Sequence, residues 1–386
     1  MSTVQLPDKD LFNTWADEDS GPVALVLKQP LLPVEGQGGI IFPPTYADIG
    51  YSIDTLADGT RLAQIDSVPS QANRMEPLFG QKDYRHLVPQ VEFTLGKNKE
   101  DDSERRVSLL DLAHRAGDAV VRSSDLAGDV ELAFKAILAR HNAVPLAKLA
   151  PTSLLFGIWD SRGTKIKRPR LIRAFIRAED IEVLHGAAQY NSVWKLLDEE
   201  QKKALSAEAK SKKVKLSEKG FNDVPAVSRK SKKVPWHDRD GKVNPDARLL
   251  GGVLARGPIT RHVTINLIAL RTLRGANEDE SRDLRRYLLG LALVAATADM
   301  ELYLREGCLL RYANSDEEPW EVIPRRGPGS YLALSTDKGR NLILSYASEM
   351  AAAFGVDQKP RVCMFDIKKA KVILAEQEEQ ETDAEG

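Results

Sequence analysis

The residues of this chain best suited to chemistry are cationic. Residues 161–177 hold Arg162, Lys165, Lys167, Arg168, Arg170, Arg173 and Arg177, seven bases and no acid. Trp159 stands just ahead, Phe175 lies within, and Gln189, Tyr190 and Asn191 follow. Cations neutralise phosphates, flat rings stack on bases and amides reach sugar or base edges, so the mixture fits single-stranded nucleic acid. A solvated basic face is the competing reading, and Trp159 could equally be a core residue. A second cluster, Ser70-Gln71-Ala72-Asn73-Arg74, places amides and a guanidinium at a helix start, where backbone N–H groups favour an anion. Its alternative is an ordinary first helical turn with a surface arginine. In a third, Arg325-Arg326-Gly327-Pro328-Gly329, glycines let the backbone approach a phosphate chain while two arginines supply charge.

Catalytic machinery is not visible. His86, His114, His141, His185, His237 and His262 are scattered without HxH or HExxH spacing. There is no GxSxG elbow, and Asp160-Ser161-Arg162 reads as a capped turn rather than as a nucleophile beside its base. The carboxylate pairs Asp101-Asp102 and Glu317-Glu318 sit in polar, loop-like context and are expected to be solvated. Gly36-Gln37-Gly38-Gly39 lacks the Lys-Ser/Thr ending of a phosphate-binding loop and reads as a plain turn. The chain is therefore expected to bind rather than to catalyse, with no metal and no cofactor. Cys308 and Cys363, far apart and outside any metal-ligand spacing, fit a reducing cytoplasm. No signal peptide opens the sequence, and its longest apolar stretch, 288–298, is too short to span a bilayer, so a soluble cytoplasmic protein is expected.

Periodic elements must position these residues. A strand is expected over 22–32 and a short capped helix over 71–79. Asp129 is expected to cap a helix with Val130, Phe134, Ile137 and Leu138 on one face. Over 171–184, Ile172, Ala174 and Ile176 alternate with Arg173, Phe175 and Arg177, a strand with one apolar and one basic-aromatic face. A second long strand is read over 259–270, a helix over 280–298 and a further strand over 300–310. The resulting β-α-β…β-α-β order predicts an α+β domain of the split βαβ, ferredoxin-like or RNA-recognition-like kind with large insertions. Residues 202–242, with thirteen bases against five acids, read as a mobile basic insertion, and 376–386, with six acids and no base, as a disordered tail. The chain thus divides into a first part of the domain over 1–194, the insertion over 195–247, a second part over 248–375 and the tail. The overall charge of −1, from 55 basic and 56 acidic side chains, conceals this segregation.

Two stretches carry a specific resemblance. Asp66-Ser67-Val68-Pro69-Ser70-Gln71-Ala72-Asn73-Arg74-Met75-Glu76, and the region from Ser153-Leu154-Leu155-Phe156-Gly157-Ile158-Trp159-Asp160-Ser161-Arg162 to Gln189-Tyr190-Asn191, are similar to the backbone protein of type I-G CRISPR systems, formerly type I-U. Residues 251–298 also fit that family. The resemblance implies a member of the repeat-associated mysterious protein superfamily, a modified RNA-recognition-like palm with a projecting thumb. It implies copies stacked head to tail along the spacer of a CRISPR RNA, kinking it and presenting its bases to target DNA, alongside a large subunit and a repeat-end-binding subunit. An open-ended head-to-tail interface is what such a filament needs. Leaving sequence recognition to guide-target pairing explains a protein that holds backbone more than bases. Ser70, Gln71, Asn73, Arg74, Trp159, Arg162, Lys165, Lys167, Arg168, Arg170, Gln189 and Asn191, with Arg325 and Arg326, are the expected RNA contacts. Two alternatives stay open: a ribonuclease of the same superfamily using His185, His262 or an acidic loop, and a general single-strand binder.

Overall fold

The structure, a computed structural model, describes residues 5–46, 49–98, 100–160, 163–186, 193–216, 219–221, 249–315 and 317–384. In chain order the elements used below are α1 (Lys9–Asp17), β1 (Ala24–Pro33), β2 (Arg61–Asp66), α2 (Val68–Met75), α3 (Ala127–Arg140), β3 (Ile158–Trp159), β4 (Lys167–Arg168), β5 (Ile172–Glu179) and β6 (Ile181–Gly186). There follow α4 (Glu199–Ser211), β7 (Ile259–Asn266), α5 (Leu267–Arg271), α6 (Glu278–Thr297), β8 (Tyr303–Arg305), β9 (Cys308–Tyr312), β10 (Trp320–Ile323), α7 (Asp337–Phe354) and α8 (Ile367–Ala384).

The fold is α+β. Its main sheet is antiparallel along the order β8-β9-β1-β7-β5-β2, continued by the strand Ile53–Thr55. Strand alternation explains the two faces. Leu25, Leu27 and Leu31 of β1, Val263 and Ile265 of β7, and Ile172, Ala174 and Ile176 of β5 point into the core, whereas Lys28, His262, Arg173, Phe175 and Arg177 share the opposite face. Helices α2 and α6 cover the apolar side. Asn277 starts α6 by accepting a 2.9 Å bond from the Glu280 N–H, and Gly290 lets α6 meet α7 backbone to backbone, since a Cβ there would lie 2.9 Å from the Cα of Ala347.

Two hydrophobic clusters share this sheet. The larger holds Phe12, Trp15, Leu25, Phe93, Leu288, Tyr346 and Cys363, and the smaller holds Leu31, Ile65, Ile176, Val253, Ile259 and Cys308. Burial pushes both thiols up to about 11. Among the described residues no helix is long and apolar enough to cross a membrane.

Several elements differ from their sequence expectation. The long strand over 171–184 breaks into β5 and β6 at Asp180, whose φ of 47° lies in the left-handed region. The strand over 259–270 stops at Asn266, whose side chain accepts from Ala269 N–H at 2.9 Å and turns the chain into α5. The strand over 300–310 is a hairpin of β8 and β9 with Gly307 at a φ of 73°. Asp129 lies inside α3 and pairs instead with Arg361 at 2.7 Å, and Leu138 is half exposed. The first ten residues of the stretch expected to be mobile belong to α4, which opens with a capping box of Asp198 and Gln201. Residues 222–248 lie outside the described residues. Helix α8 runs to Ala384 where a disordered tail was expected, through Ala, Glu and Gln residues of high helix propensity.

Candidate nucleic-acid interface

On the face of the sheet opposite α2 and α6, three strands set a row across the centre, because Lys28 pairs with His262 and His262 with Phe175 in register. The Phe175 ring stacks on the His262 imidazole, with centroids 4.8 Å apart and planes 17° from parallel. Two residues away on either side along β5, Arg173 and Arg177 bring their guanidiniums to 5.2 and 4.7 Å from the Phe175 ring centre. Lys28, Arg173 and Arg177 are exposed, and Phe175 and His262 half-buried. Burial first, then Lys28 and Arg177, hold the His262 imidazolium below its ordinary pKa.

One end of the sheet gathers a second group of cations. Ile172, Ile265, Leu25 and Val322 form a row near that end. Beyond it lie the hairpin of β3 and β4 preceding β5, helix α5 following β7, and the Arg325-Arg326 turn following β10. In the hairpin, Trp159 pairs with Lys167 across the strands and is 66% exposed, which removes the core alternative for it, and the Lys167 ammonium sits 5.7 Å from its ring centre. Asp160 builds the turn from inside, accepting from the N–H groups of Gly163 at 3.0 Å and Thr164 at 2.7 Å and from the Thr164 hydroxyl at 2.9 Å. Asp160 thus caps Gly163 and Thr164, whereas Ser161 and Arg162 of the expected turn lie outside the described residues.

Below the hairpin, Asp19, His141, Arg168, Ile268, Arg271, Thr272, Arg274 and Arg325 line an open hollow of about 420 Å³. Four guanidiniums thus converge on one concave surface. Arg271 donates to the carbonyls of Trp15 at 2.9 Å and Pro22 at 2.7 Å, Arg274 to that of Leu273 at 3.2 Å, and Arg325 to that of Asp19. Carbonyl dipoles fix these three guanidiniums, while the Asp19 carboxylate offsets part of the charge at Arg271. Burial lowers the Arg168 pKa, and its buried Nε has no hydrogen-bond partner among the described residues. Arg170, exposed on the same segment, is lowered by burial and then by Arg115. Lys165 and Arg326 are also exposed.

The cluster at the start of α2 turns the other way. Asp66, with no exposed surface, accepts from the Ser70 hydroxyl at 2.8 Å and the Gln71 amide at 2.7 Å. It also pairs with Arg74 and Arg305, both at 3.1 Å. Gln71 is fully buried, and its carbonyl accepts from Arg261 at 3.0 Å. Arg74 donates in addition to the Leu304 carbonyl at 2.6 Å. The expectation that Gln71 meets phosphate or sugar is therefore corrected: its amide is committed at both ends inside the protein, and Arg74 is engaged by a buried carboxylate. Arg261 is the interior cation that sequence reading missed, pushed down to about 10 by complete burial and satisfied by Gln71 and by Gln29 at 2.7 Å. Asn73 stays exposed and accepts from Arg115 at 3.3 Å. Arg115 in turn pairs with Glu76 at 2.6 Å, a carboxyl that burial pushes up to about 7 against the pull of that arginine.

Of the expected contacts, the structure brings together Trp159, Lys167, Arg168, Arg170 and Arg325 at one end of the sheet. Arg162, Gln189 and Asn191 lie outside the described residues. Sequence reading missed Arg271 and Arg274, whose only signal was the RTLR string after β7. Lys28 was equally hidden within an apolar strand. Among the described residues no group of His, Cys, Asp or Glu side chains could hold a metal ion.

Residues 25–183, less than half of the chain, match the family model described as CRISPR-associated protein GSU0053 (Cas_GSU0053). The matched segment contains the stretch 66–76, the start of the second stretch at 153–162 and the whole of β5, whereas Gln189-Tyr190-Asn191 falls beyond it, and the similarity indicates a CRISPR-associated protein. No curated protein matches the sequence.

Proposed function

We propose that this chain is the backbone subunit of a type I-G CRISPR interference complex, Cascade, and that it binds rather than cleaves. In this reading it grips the spacer of the CRISPR RNA without sequence preference. Copies of it stack head to tail along the guide, which is presented to target DNA beside the large and repeat-end-binding subunits. The family match supports a place in CRISPR defence. The order β9-β1-β7-β5, with α2 between β1 and β5 in sequence and α6 between β7 and β9, supports a split βαβ palm of ferredoxin-like or RNA-recognition kind. In the same reading the basic insertion over 202–242 supplies the thumb or a groove for target DNA.

The observation that carries the reading is the hollow of Arg168, Arg271, Arg274 and Arg325. The guanidiniums of Arg271, Arg274 and Arg325 are held by backbone carbonyls and remain available to a polyanion, with Arg168 beside them in the same hollow. Replacing Arg168 or Arg325 by Ala should weaken binding to every guide-length RNA alike and flatten the salt dependence by about 0.7 to 1 unit of slope per lost phosphate contact. Fluorescence anisotropy over a salt series measures both. An effect on one spacer that spares another would contradict a backbone grip. Gel filtration with RNAs of increasing length should give assemblies that grow with the RNA. Incubation with labelled repeat RNA should leave it intact, whereas cleavage lost on His262→Ala would favour a ribonuclease.

A further inference from the structure

The stacked pair on the open sheet face has no role in a grip made of phosphate contacts alone. An aromatic ring on the solvent side of a sheet usually earns its place by packing under another element. On that face the Phe175 ring meets an imidazole and two guanidiniums, with an ammonium one strand further and the Glu179 carboxylate near enough to act on the imidazole. Cations beside a half-buried aromatic pair can serve an anion and a π-system at once, which is the chemistry of a nucleotide: a flat base and a phosphate on either side of it.

We propose that the Phe175–His262 pair is a stacking platform for one nucleobase of the bound single strand, with Arg173 and Arg177 engaging the phosphates that flank it. The inference rests on the single-strand-binding reading above and deepens it by adding a base contact to a backbone grip. Geometry supports the assignment in three ways. The two rings lie 17° from parallel with centroids 4.8 Å apart, so a base laid against the outer face of the pair would extend an existing stack. Arg173 and Arg177 stand two residues before and after Phe175, so strand alternation places both on its face, one toward each end of β5. Register puts Lys28 directly across His262, which leaves positive charge on the far side of the platform as well. Every base has a π-face, so such a platform is compatible with binding that ignores sequence.

The test compares oligouridylate with an abasic ribose-phosphate chain of the same length, which keeps the phosphates and removes the bases. The wild-type protein should prefer the oligouridylate, and Phe175→Leu should shrink that preference by about tenfold while leaving affinity for the abasic chain unchanged. An Arg173→Gln, Arg177→Gln double variant should do the converse, flattening the salt dependence for both ligands and keeping the preference between them. Photocrosslinking of the wild-type protein to RNA carrying 4-thiouridine should map to the peptide around Phe175 or His262, and this readout needs no variant to fold. An undiminished preference in Phe175→Leu, or crosslinks that avoid both residues, overturns the platform and leaves the phosphate grip standing. A wild-type protein that binds neither ligand overturns both.

Discussion

Asp66 shows how a single residue can redirect a motif. Four donors from Ser70, Gln71, Arg74 and Arg305 converge on a carboxylate with no exposed surface. Asp66→Ala would strand two guanidiniums without their counter-charge and should cost about 3 kcal/mol, read as a lower urea midpoint. Glu76 makes a second prediction. Its carboxyl is raised from 4.5 to about 7 by burial, with Asp111 adding to the rise and Arg115 and Thr152 opposing it. The folded state therefore holds this proton more tightly than the unfolded state. The resulting stability is fully present below about pH 4.5 and is lost as pH rises through about 7. Thermal melts between pH 5 and 8 should fall more steeply for the wild type than for Glu76→Gln, which mimics the protonated form, and parallel curves would contradict this. At this scale sequence reading picked out the right stretch and the wrong direction. A short amphipathic helix fixes its neighbours, but whether Gln71 and Arg74 point in or out depends on a carboxylate that only the tertiary fold encloses.

Elements with strong periodicity were legible, and their ends were not. The alternation of β5 and β7 and the apolar face of α6 are local properties, so each appears near its expected place. What cut the long strands short was a single residue in each: Asp180 adopting a left-handed conformation, and Asn266 bonding to the Ala269 N–H. Asp and Asn are residue types that favour turns and caps, but a reading led by alternation alone runs past them. The hairpin of β3 and β4 illustrates a further dependence. Gly157, at a φ of 83°, lies where a Cβ would come within 2.8 Å of Arg170 Cγ. Gly157→Ala should therefore destabilise the protein by more than about 1 kcal/mol and loosen the cationic segment, seen as a lower melting temperature together with weaker RNA binding. Trp159→Ala at the exposed strand position should leave the melting temperature within the range of ordinary surface changes while lowering RNA affinity.

At the scale of the whole molecule, near-neutral composition gives no hint of where charge gathers. The sheet collects cations from segments more than a hundred residues apart, Arg168 and Arg325 among them, because β1, β5, β7 and β10 end at one rim. Elsewhere some charges are paired off, as where Arg340 meets Asp299, Glu317 and Asp337. Such an uneven distribution predicts that RNA binding weakens steeply with added salt although the formal charge is only −1. The division of the interior has its own consequence. Each of the two clusters encloses one of the chain's two cysteines, shielded and held as a neutral thiol. Intact protein should thus resist alkylating reagents at both positions. Under mild denaturant, peptide mapping of alkylated Cys308 and Cys363 becomes a built-in clock that times when either half of the interior first admits water.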